Sequence, residues 1–331
     1  MFDTQTSPVA THDHSALRDG LVQRRQRLVA ASSRSDERQI SDLLAAVDDA
    51  LSQFEDGTYG TCKTCHDPIE RDLLAGDPLV RVCLECLSTD ARRALERDLE
   101  HAAAIQTRLL PPRDFAVGGW EGHYVYHPHG AVSGDFVDVM PDGGSTLVLV
   151  GDVSGKGVAA ALLMSHLSAI FRGLVGSGSD LAEVMGRANR MFGAAIPPGS
   201  FATLAAARLR PTGAIEISNA GHVPPLYHNG RVHRLPPNGV PLGLFCESVY
   251  TTQSLQLNRG ERLVLATDGL IESTDPGHEE YGLEALAAAI AEYPDADPRK
   301  LASLLIDKVA RFRQGRPATD DTAVMVLQRT A

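Results

Sequence analysis

The sequence predicts an α+β domain preceded by a helical segment and a small metal-binding finger. Two observations support this architecture. Four cysteines form two closely spaced pairs early in the chain, and the double proline Pro111-Pro112 is followed by short apolar strands that alternate with helices. Strands gathered around a few long helices are typical of a layered α+β domain. The length of 331 residues allows about two domains.

Composition and charge exclude several classes of protein. Hydrophobic residues make up 43% of the chain and charged residues 22%, as in ordinary globular proteins. No apolar run approaches the ~20 residues that span a bilayer, and Met1 to Ser15 lack the basic and apolar stretches of a signal peptide. We therefore predict a cytoplasmic protein with no membrane partner. The formal net charge of -11 disfavours a nucleic-acid partner, because neutralising phosphates requires clustered Lys and Arg.

The front of the chain predicts a tail and a helix. Residues 1–35 are interpreted as a tail that is disordered as far as residue 14 and partly helical beyond it. From 36 to 57 a helix is predicted, because apolar residues recur at helical spacing until Gly57 ends the pattern.

A charged helix is predicted over 88–110, and it leads into the α+β domain. Leu95, Ala102 and Leu109 repeat every seven residues, which indicates a short coiled-coil seam. Pro111-Pro112 ends the helix because proline cannot continue its hydrogen-bond ladder. We therefore place the domain boundary there and assign 111–331 to the α+β domain. Its predicted strands are 121–127, 145–151, 202–209, 214–218, 261–267 and 322–328, and its predicted helices are 156–174, 180–194, 282–293 and 298–313.

The four paired cysteines predict a structural zinc site. Cys62 and Cys65, like Cys83 and Cys86, are separated by two residues, so both sulfurs of a pair reach one ion. A single pair of this kind also fits a redox centre, but two pairs favour zinc. Four thiolates leave no open coordination position, which predicts a scaffold and not a catalytic metal. Cys246 stands apart and is interpreted as a buried, inert thiol.

The residues around these cysteines resemble the DksA/TraR zinc finger over about 45–95. The likeness rests on three stretches, which are Asp56 to Cys65, Pro68-Ile69 with Leu73, and Cys83 to Cys86. It implies a zinc finger over 58–87. DksA-like proteins act on RNA polymerase through a long coiled coil, for which the chain ahead of this finger is too short. The finger is therefore interpreted as a scaffold or sensor, with polymerase contact as the alternative.

Four acidic motifs carry the predicted chemistry. Each places an Asp at the end of an apolar strand, where glycine allows the backbone to turn. A single Asp-Gly pair indicates no more than a turn. Four of them at strand ends favour a shared site for divalent cations, which neutralise several carboxylates at once. The motifs are Ser133 to Asp138, Gly151 to Gly157, Ala266 to Leu270 and Thr319 to Thr322.

The second motif, Gly151-Asp-Val-Ser-Gly-Lys-Gly157, is not a phosphate-binding P-loop. Val150 and Gly157 stand where that loop needs a glycine and a hydroxyl residue. A nucleotide-binding interpretation of this motif is therefore excluded.

In this order the motifs resemble those of the SpoIIE/RsbU branch of the PPM protein phosphatases. The likeness covers nearly all of 105–331 and implies a central β-sandwich flanked by helices, with two Mn2+ or Mg2+ ions between the sheets. The stretches that support it are Gln106 to Pro111, Asn219 to Leu226, Gly239 to Leu244 and Asp268 to Glu272.

The resemblance also implies the role of individual residues. The implied metal ligands are Asp135, Asp152, the carbonyl of Val153, Asp268, Asp320 and Asp321. Of these, Asp152 bridges both ions, and the implied catalytic residues are Asp135, Asp152, Asp268 and Asp320. Asp138 is a neighbour whose role stays open. Ser133 and the pair Phe136-Val137 depart from the family pattern, but they leave Asp135 intact.

The implied activity is that of a protein serine/threonine phosphatase, in which water activated by two metal ions hydrolyses phosphoserine or phosphothreonine. The implied substrate is a phosphorylated STAS-type anti-sigma-factor antagonist in a partner-switching pathway. The resemblance also implies that activity is regulated by the helix that enters the domain, through a homodimer formed by helix 88–110. Two other interpretations stay open. One is a transcription regulator that acts on RNA polymerase through the finger, with the phosphatase domain as a sensor. The other is a metal-dependent nuclease, which the negative charge disfavours.

His222 has two interpretations. It is a candidate general acid for the leaving group, or it holds the turn from Gly221 to Pro224 by hydrogen bonds, which is favoured. A further metal site at His123, His127 and His129 is disfavoured, because these residues fall on a predicted strand and loop.

Overall fold

The computed structural model describes residues 15–32, 38–176 and 178–331. The chain forms two compact units, Met1–Glu96 and Arg97–Ala331. The tail predicted to be disordered over 1–14 lies outside the described residues. The second unit starts before Pro111, within the helix predicted over 88–110. The reason is that the end of this helix packs on the α+β domain through the buried side chain of Gln106.

The first unit contains a pair of helices. α1 spans Ser15–Ser32 and α2 spans Arg38–Asp56, in the two segments predicted to be helical. Leu21 of α1 packs with Val47 and Ala50 of α2, and all three side chains are buried. The apolar spacing visible in the sequence thus forms the contact between the two helices.

The finger follows α2 and has a small apolar cluster. A short helix, α3 (Arg71–Gly76), lies between the cysteine pairs. A single 3-10 turn at Leu84–Cys86 follows Cys83 and ends at Cys86. Ile69 and Leu74 are buried beside Cys62 and Cys83. A cluster of this size is a minimal core, so a bound ion would contribute much of the stability of the finger. The charged helix α4 follows over Thr89–Leu109.

The α+β domain is a sandwich of two antiparallel sheets. Its strands are β1 (Asp114–Val117), β2 (Trp120–His127), β3 (Phe136–Asp142), β4 (Ser145–Val153), β5 (Ala202–Leu209), β6 (Ala214–Ala220), β7 (Leu226–His228), β8 (Val232–Arg234), β9 (Gln253–Gln256), β10 (Arg262–Ala266) and β11 (Thr322–Arg329). The first sheet has the order β1-β2-β11-β10-β7-β8, and the second has the order β3-β4-β5-β6-β9. Neighbouring strands are antiparallel throughout both sheets.

Helices cover both outer faces of the sandwich. α5 (Gly157–Leu174) and α6 (Leu181–Gly193) pack on the five-stranded sheet. The single-turn helix α7 (Asp268–Ile271) follows β10, and α8 (Gly282–Glu292) and α9 (Pro298–Phe312) pack on the six-stranded sheet. The layers therefore run helix, sheet, sheet, helix, which confirms the predicted α+β class.

The central strands are apolar runs because both of their faces are covered. In β4, Leu149 faces the helices α5 and α6, whereas Val148 and Val150 face the other sheet. In β11, Met325 faces the other sheet and Val326 faces α8 and α9. Side chains alternate between the two faces of a strand, so a strand buried on both faces keeps few polar positions. Such runs are recognisable in a sequence.

Five strands lack this signal, and the sequence does not predict them. β7 and β8 have three residues each, and β1 and β9 have four. β3 contains Pro141 and the buried acids Asp138 and Asp142. Short or polar strands show no clear periodicity, which is why they escape sequence analysis.

α5 is the described helix whose length and apolarity would suffice to cross a bilayer. Its side chains Met164, Leu167 and Phe171 are buried in the apolar layer that α5 and α6 share with the five-stranded sheet. The apolar character of α5 is therefore accounted for by the core of the domain.

Candidate active site

Three aspartates converge at one end of the sandwich. Asp135 precedes β3, Asp152 lies near the end of β4, and Asp268 is the first residue of α7. One carboxylate oxygen from each lies within 4.8 Å of the others. The pairing of Phe136 with Gly151 brings the first two together, and Asp268 reaches them from the facing sheet. The structure thus joins three of the predicted ligands, which lie more than 130 residues apart at the extremes.

Asp135 is the most deeply buried member of this acidic cluster, with 1% of its surface exposed. The hydroxyl of Thr267 donates a hydrogen bond of 2.7 Å to its Oδ2 atom, and the Asp135 N–H donates to the hydroxyl of Ser133 at 3.1 Å. The pKa of Asp135 is raised well above its ordinary value, mainly because the carboxyl is desolvated and also because Asp152 is close. The protein alone therefore does not stabilise the ionised form of the Asp135 carboxyl.

The pKa values of Asp152 and Asp268 are raised as well. Burial raises the pKa of Asp152 to about 7, with repulsion from Asp268 and Asp320 as the next causes. Burial also raises the pKa of Asp268, followed by repulsion from Asp320. A divalent cation would remove this repulsion, and carboxylate oxygens are the ligands that Mg2+ and Mn2+ prefer. The donor set therefore fits such an ion.

The other predicted acids make different contacts. Asp320 forms an ion pair of 3.0 Å with the ammonium group of Lys156, and it lies close enough to repel the cluster. Asp321 accepts backbone hydrogen bonds through both of its oxygens, from His129 at 2.7 Å and from Gly134 at 3.0 Å. Asp321 thereby holds the loop that leads into Asp135.

Asp138, whose role the sequence leaves open, contacts the helix α5 and not the acidic cluster. Its Oδ2 accepts a hydrogen bond of 2.9 Å from Ser168, and its Oδ1 forms an ion pair of 2.6 Å with Arg172. Both partners belong to α5, so Asp138 connects β3 to that helix.

Two glycines allow the acidic loops to approach each other. A Cβ atom on Gly134 would lie 2.9 Å from the carbonyl oxygen of Val153 and 3.1 Å from Oδ1 of Asp152. A Cβ atom on Gly269 would lie 1.9 Å from the carbonyl oxygen of Asp321. Since backbone atoms cannot move aside as a flexible side chain does, both positions require glycine.

Gln106 is a positioning residue whose role sequence reasoning missed. Its side-chain amide donates to the Ser133 carbonyl at 2.7 Å and accepts from the Ser133 N–H at 3.0 Å. Both polar atoms of this buried side chain on α4 thus hold the peptide two residues before Asp135. The signal in the sequence was a glutamine in the stretch from Gln106 to Pro111, which supported the family resemblance without indicating a role.

The hydrogen bonds of His222 support its interpretation as a residue that holds a turn. Its N–H donates to the side chain of Asn219 at 2.8 Å, and its ring Nδ1 lies 2.8 Å from the Thr203 hydroxyl. Burial lowers the pKa of His222 to about 4, so the ring is neutral at pH 7 and is a poor proton donor. Of the other histidines, His123 pairs with Asp114 at 2.7 Å. Over the described ranges, no metal-capable group includes His123, His127 or His129.

The four paired cysteines meet as predicted. Their sulfurs all lie within 4.8 Å of one another, and Sγ of Cys65 lies 3.6 Å from Sγ of Cys83. The N–H of Thr64 donates to the sulfur of Cys62 at 3.4 Å. This arrangement offers four thiolates to one ion, as a tetrahedral zinc site requires. The prediction for Cys246 was wrong: this thiol is exposed, because the surface loop that carries it is held to Asn189 through backbone atoms only.

Comparison with known proteins identifies the α+β domain. The family model described as Stage II sporulation protein E (SpoIIE) matches residues 142–330, more than half of the chain. The chain belongs to the SpoIIE family. This match includes Asp152, Asp268 and Asp320, and it leaves out the finger. The likeness of residues 45–95 to the DksA/TraR finger stays a prediction.

Relatives of this SpoIIE-family chain agree with the match. It is 25% identical over 243 residues to phosphoserine phosphatase RsbU of Bacillus subtilis, which covers 72% of each chain. It is 29% identical over 220 residues to protein IcfG of Synechocystis sp., and the match covers 57% of this chain and 35% of IcfG. The chain thus spans about a third of the length of IcfG.

The fold of the domain is also found in solved structures. The SiaA-PP2C domain of Pseudomonas aeruginosa superposes with a TM-score of 0.64 at 19% identity, over 73% of this chain and 99% of that one. This likeness confirms the predicted PPM-type sandwich. The α+β domain of this SpoIIE-family chain therefore has the fold of the PPM-type protein phosphatases.

The raised pKa values predict how pH and divalent cations affect stability. An acid whose pKa is higher in the folded state than in the unfolded state destabilises the fold once it ionises. For Asp152, with a pKa of about 7 against 3.8, this loss develops between pH 4 and pH 7. Since one pKa unit corresponds to about 1.4 kcal/mol, ionisation costs the folded state roughly 4 kcal/mol. In EDTA, we expect the thermal midpoint of the domain to fall from pH 5 to pH 8.

Mn2+ should raise the midpoint more at pH 8 than at pH 5, and Asp152→Asn should weaken both effects. Asp307→Asn, which removes an exposed carboxylate from α9, is the matched control and should behave like the wild type. A midpoint in EDTA that rises towards pH 8 would contradict the electrostatic description of the cluster.

Proposed function

We propose that this protein is a metal-dependent protein serine/threonine phosphatase that hydrolyses phosphoserine or phosphothreonine in a protein substrate. The convergence of Asp135, Asp152 and Asp268 in a domain of this family is the observation that carries the proposal. In the proposed mechanism, the acidic cluster binds two Mn2+ or Mg2+ ions. The proposed ligands are Asp135, Asp152, the carbonyl of Val153, Asp268, Asp320 and Asp321.

The chemistry depends on bound cations and on residues that hold their ligands in place. Two divalent cations in such a site lower the pKa of bound water and neutralise phosphate oxygens. Asp135 is prepared for its role by burial and by the hydrogen bond from Thr267. Because the nucleophile is water, no side chain of the protein becomes phosphorylated. Thr203 pairs with Asp152 across β5 and β4, and the neutral ring of His222 lies 2.8 Å from the Thr203 hydroxyl.

The proposed substrate is a phosphorylated STAS-type anti-sigma-factor antagonist in a partner-switching pathway in the cytoplasm. The support is the likeness to RsbU, a phosphoserine phosphatase. Asp152, Asp268 and Asp320 are only partly buried, so the acidic cluster opens to solvent on one side. This opening suits a phosphorylated residue on the surface of another protein better than a deeply enclosed small molecule.

Metal-dependent hydrolysis tests the proposed activity. The full chain should hydrolyse p-nitrophenyl phosphate and a phosphoserine peptide with Mn2+ or Mg2+, and EDTA should abolish turnover. Asp152→Asn should reduce kcat by at least 1,000-fold while the circular dichroism spectrum is retained, because the variant lacks one of the carboxylate charges that would hold the ions. Asp307→Asn should leave kcat unchanged. Full activity of Asp152→Asn, or of the wild type in EDTA, would refute the proposed mechanism.

We further propose that the four cysteines bind one structural Zn2+ and that the DksA/TraR-like finger serves as a scaffold. The purified protein should contain one equivalent of zinc by elemental analysis. Cys62→Ser should lose it and become sensitive to limited proteolysis within 58–87, since such sites contribute on the order of 10 kcal/mol to folding. Cys246→Ser, which changes an exposed thiol outside the cluster, should retain the zinc. Zinc retention by both variants would exclude this site.

A homodimer through α4 is the last part of the proposal. Ile105 occupies the alternate position of the predicted seam, three residues after Ala102 and four before Leu109. It is 62% exposed and next to the buried Gln106. An apolar residue in this position favours a partner helix. Light scattering should give twice the mass of one chain, and Ile105→Asp should give the monomer. Ala104→Asp adds the same charge at an exposed position outside the seam and should remain dimeric. A monomeric wild type would rule out the dimer.

A further inference from the structure

Lys156 lies beside the acidic cluster, in the loop that joins β4 to α5. It follows Asp152 by four residues. Its ammonium group lies 3.0 Å from Oδ2 of Asp320 and 2.9 Å from the carbonyl oxygen of Thr319. Half of the Lys156 side chain is exposed, as is 43% of the Asp320 side chain. The pair therefore stands at the open side of the cluster, where a substrate would enter.

Lys156 supplies a positive charge that the cluster otherwise lacks. In the part of the chain that the structure describes, it is the one basic side chain that forms an ion pair with Asp135, Asp152, Asp268 or Asp320. A lysine side chain is protonated at neutral pH, so Lys156 carries this charge.

Lys156 occupies the N-cap position of α5, where a lysine does not stabilise the helix. Lys156 is the N-cap residue, and its side chain makes no capping hydrogen bond. Helices favour Ser, Thr, Asp or Asn at this position, and the positive end of the helix dipole favours negative charge. A lysine here adds a second positive charge to the first. Together they create a location that attracts an anion.

The backbone around Lys156 leaves space for a ligand. Gly155 and Gly157 have φ angles of +100° and +71°, so the chain turns sharply on both sides of the lysine. A Cβ atom on either glycine would meet no other atom within 4 Å. The side chain is thus presented from a turn that faces open solvent.

Charge balance indicates which ligand this lysine meets. The five carboxylates of the proposed ligand set and two divalent cations leave one negative charge, and a phosphomonoester adds about two more near pH 7. An additional cation at the mouth of the site compensates part of that charge. A lysine is well suited to the task, since it binds phosphate as a point charge.

We propose that Lys156 binds the phosphate group of the substrate, exchanging its ion pair with Asp320 for one with a phosphate oxygen. The inference rests on the proposed phosphatase function and assigns a residue to substrate binding. It gives the lysine of Gly151-Asp-Val-Ser-Gly-Lys-Gly157 a phosphate-binding role in a motif that is not a P-loop.

A purely structural role makes the opposite prediction for metal binding. If Lys156 only held Asp320 in position as a ligand, its removal would weaken metal binding and leave phosphate binding intact. If it binds phosphate, its removal frees Asp320, so metal affinity is unchanged or increased while phosphate affinity falls.

The test compares the full-length wild type with Lys156→Gln, Lys156→Arg and Lys308→Gln. Lys308 of α9 forms a comparable ion pair with Glu292 at 2.6 Å, so its substitution controls for the loss of one charge. The measurements are Mn2+ affinity by calorimetry, inorganic phosphate binding to the Mn2+-loaded protein, and KM and kcat for a phosphoserine peptide. For Lys156→Gln we expect phosphate affinity to fall and KM to rise at least tenfold, with Mn2+ affinity no weaker than in the wild type. Lys156→Arg should retain most of the phosphate affinity.

A tenfold loss of Mn2+ affinity in Lys156→Gln with unchanged phosphate binding would overturn the proposal. Equal effects of Lys156→Gln and Lys308→Gln, or no phosphate binding by the wild type, would do the same. A wild type that binds phosphate but hydrolyses no peptide would refute the phosphatase function alone. In that case the loss of phosphate binding in Lys156→Gln would still support the role of Lys156.

Discussion

Mutual repulsion among buried carboxylates is the constraint on which the site depends. Asp135, Asp152 and Asp268 come from three separate segments of the sandwich, and each resists ionisation where it lies. Left to local forces alone, such side chains would turn towards solvent. They are held together by the pairing of two extensive sheets, whose apolar interior stabilises the fold strongly enough to offset the repulsion. The cations that we propose convert this unfavourable arrangement into a favourable one.

Contacts from several elements hold the segment that carries Asp135. Thr267 reaches across from the six-stranded sheet to Asp135, while Asp321 holds the loop before it. Gln106 adds a contact from α4 to the same loop. Thus one short segment, from Ser133 to Asp135, is held from three directions. The finger, in the other unit, has its own smaller apolar cluster and its own set of ligands.

Sequence analysis predicted the features that rest on periodicity or on dense motifs. The apolar runs of β4 and β11, the paired cysteines and the acidic motifs at strand ends were all recognisable, because each has a local signature. β3 was missed because buried acids with partners on α5 interrupt its pattern, and a sequence does not reveal such partners. The same reason applies to Gln106. The burial predicted for Cys246 was wrong because loop placement depends on tertiary contacts, here with Asn189.

The close contact at Gly269 has a consequence for how the site receives an ion. Because the Asp321 carbonyl occupies the space beside this glycine, α7 and the segment that leads into β11 pack together at backbone level, next to Asp268. Asp135, Asp152 and Asp268 already lie within 4.8 Å of one another, so little of the free energy of ion binding is needed to bring these three ligands together.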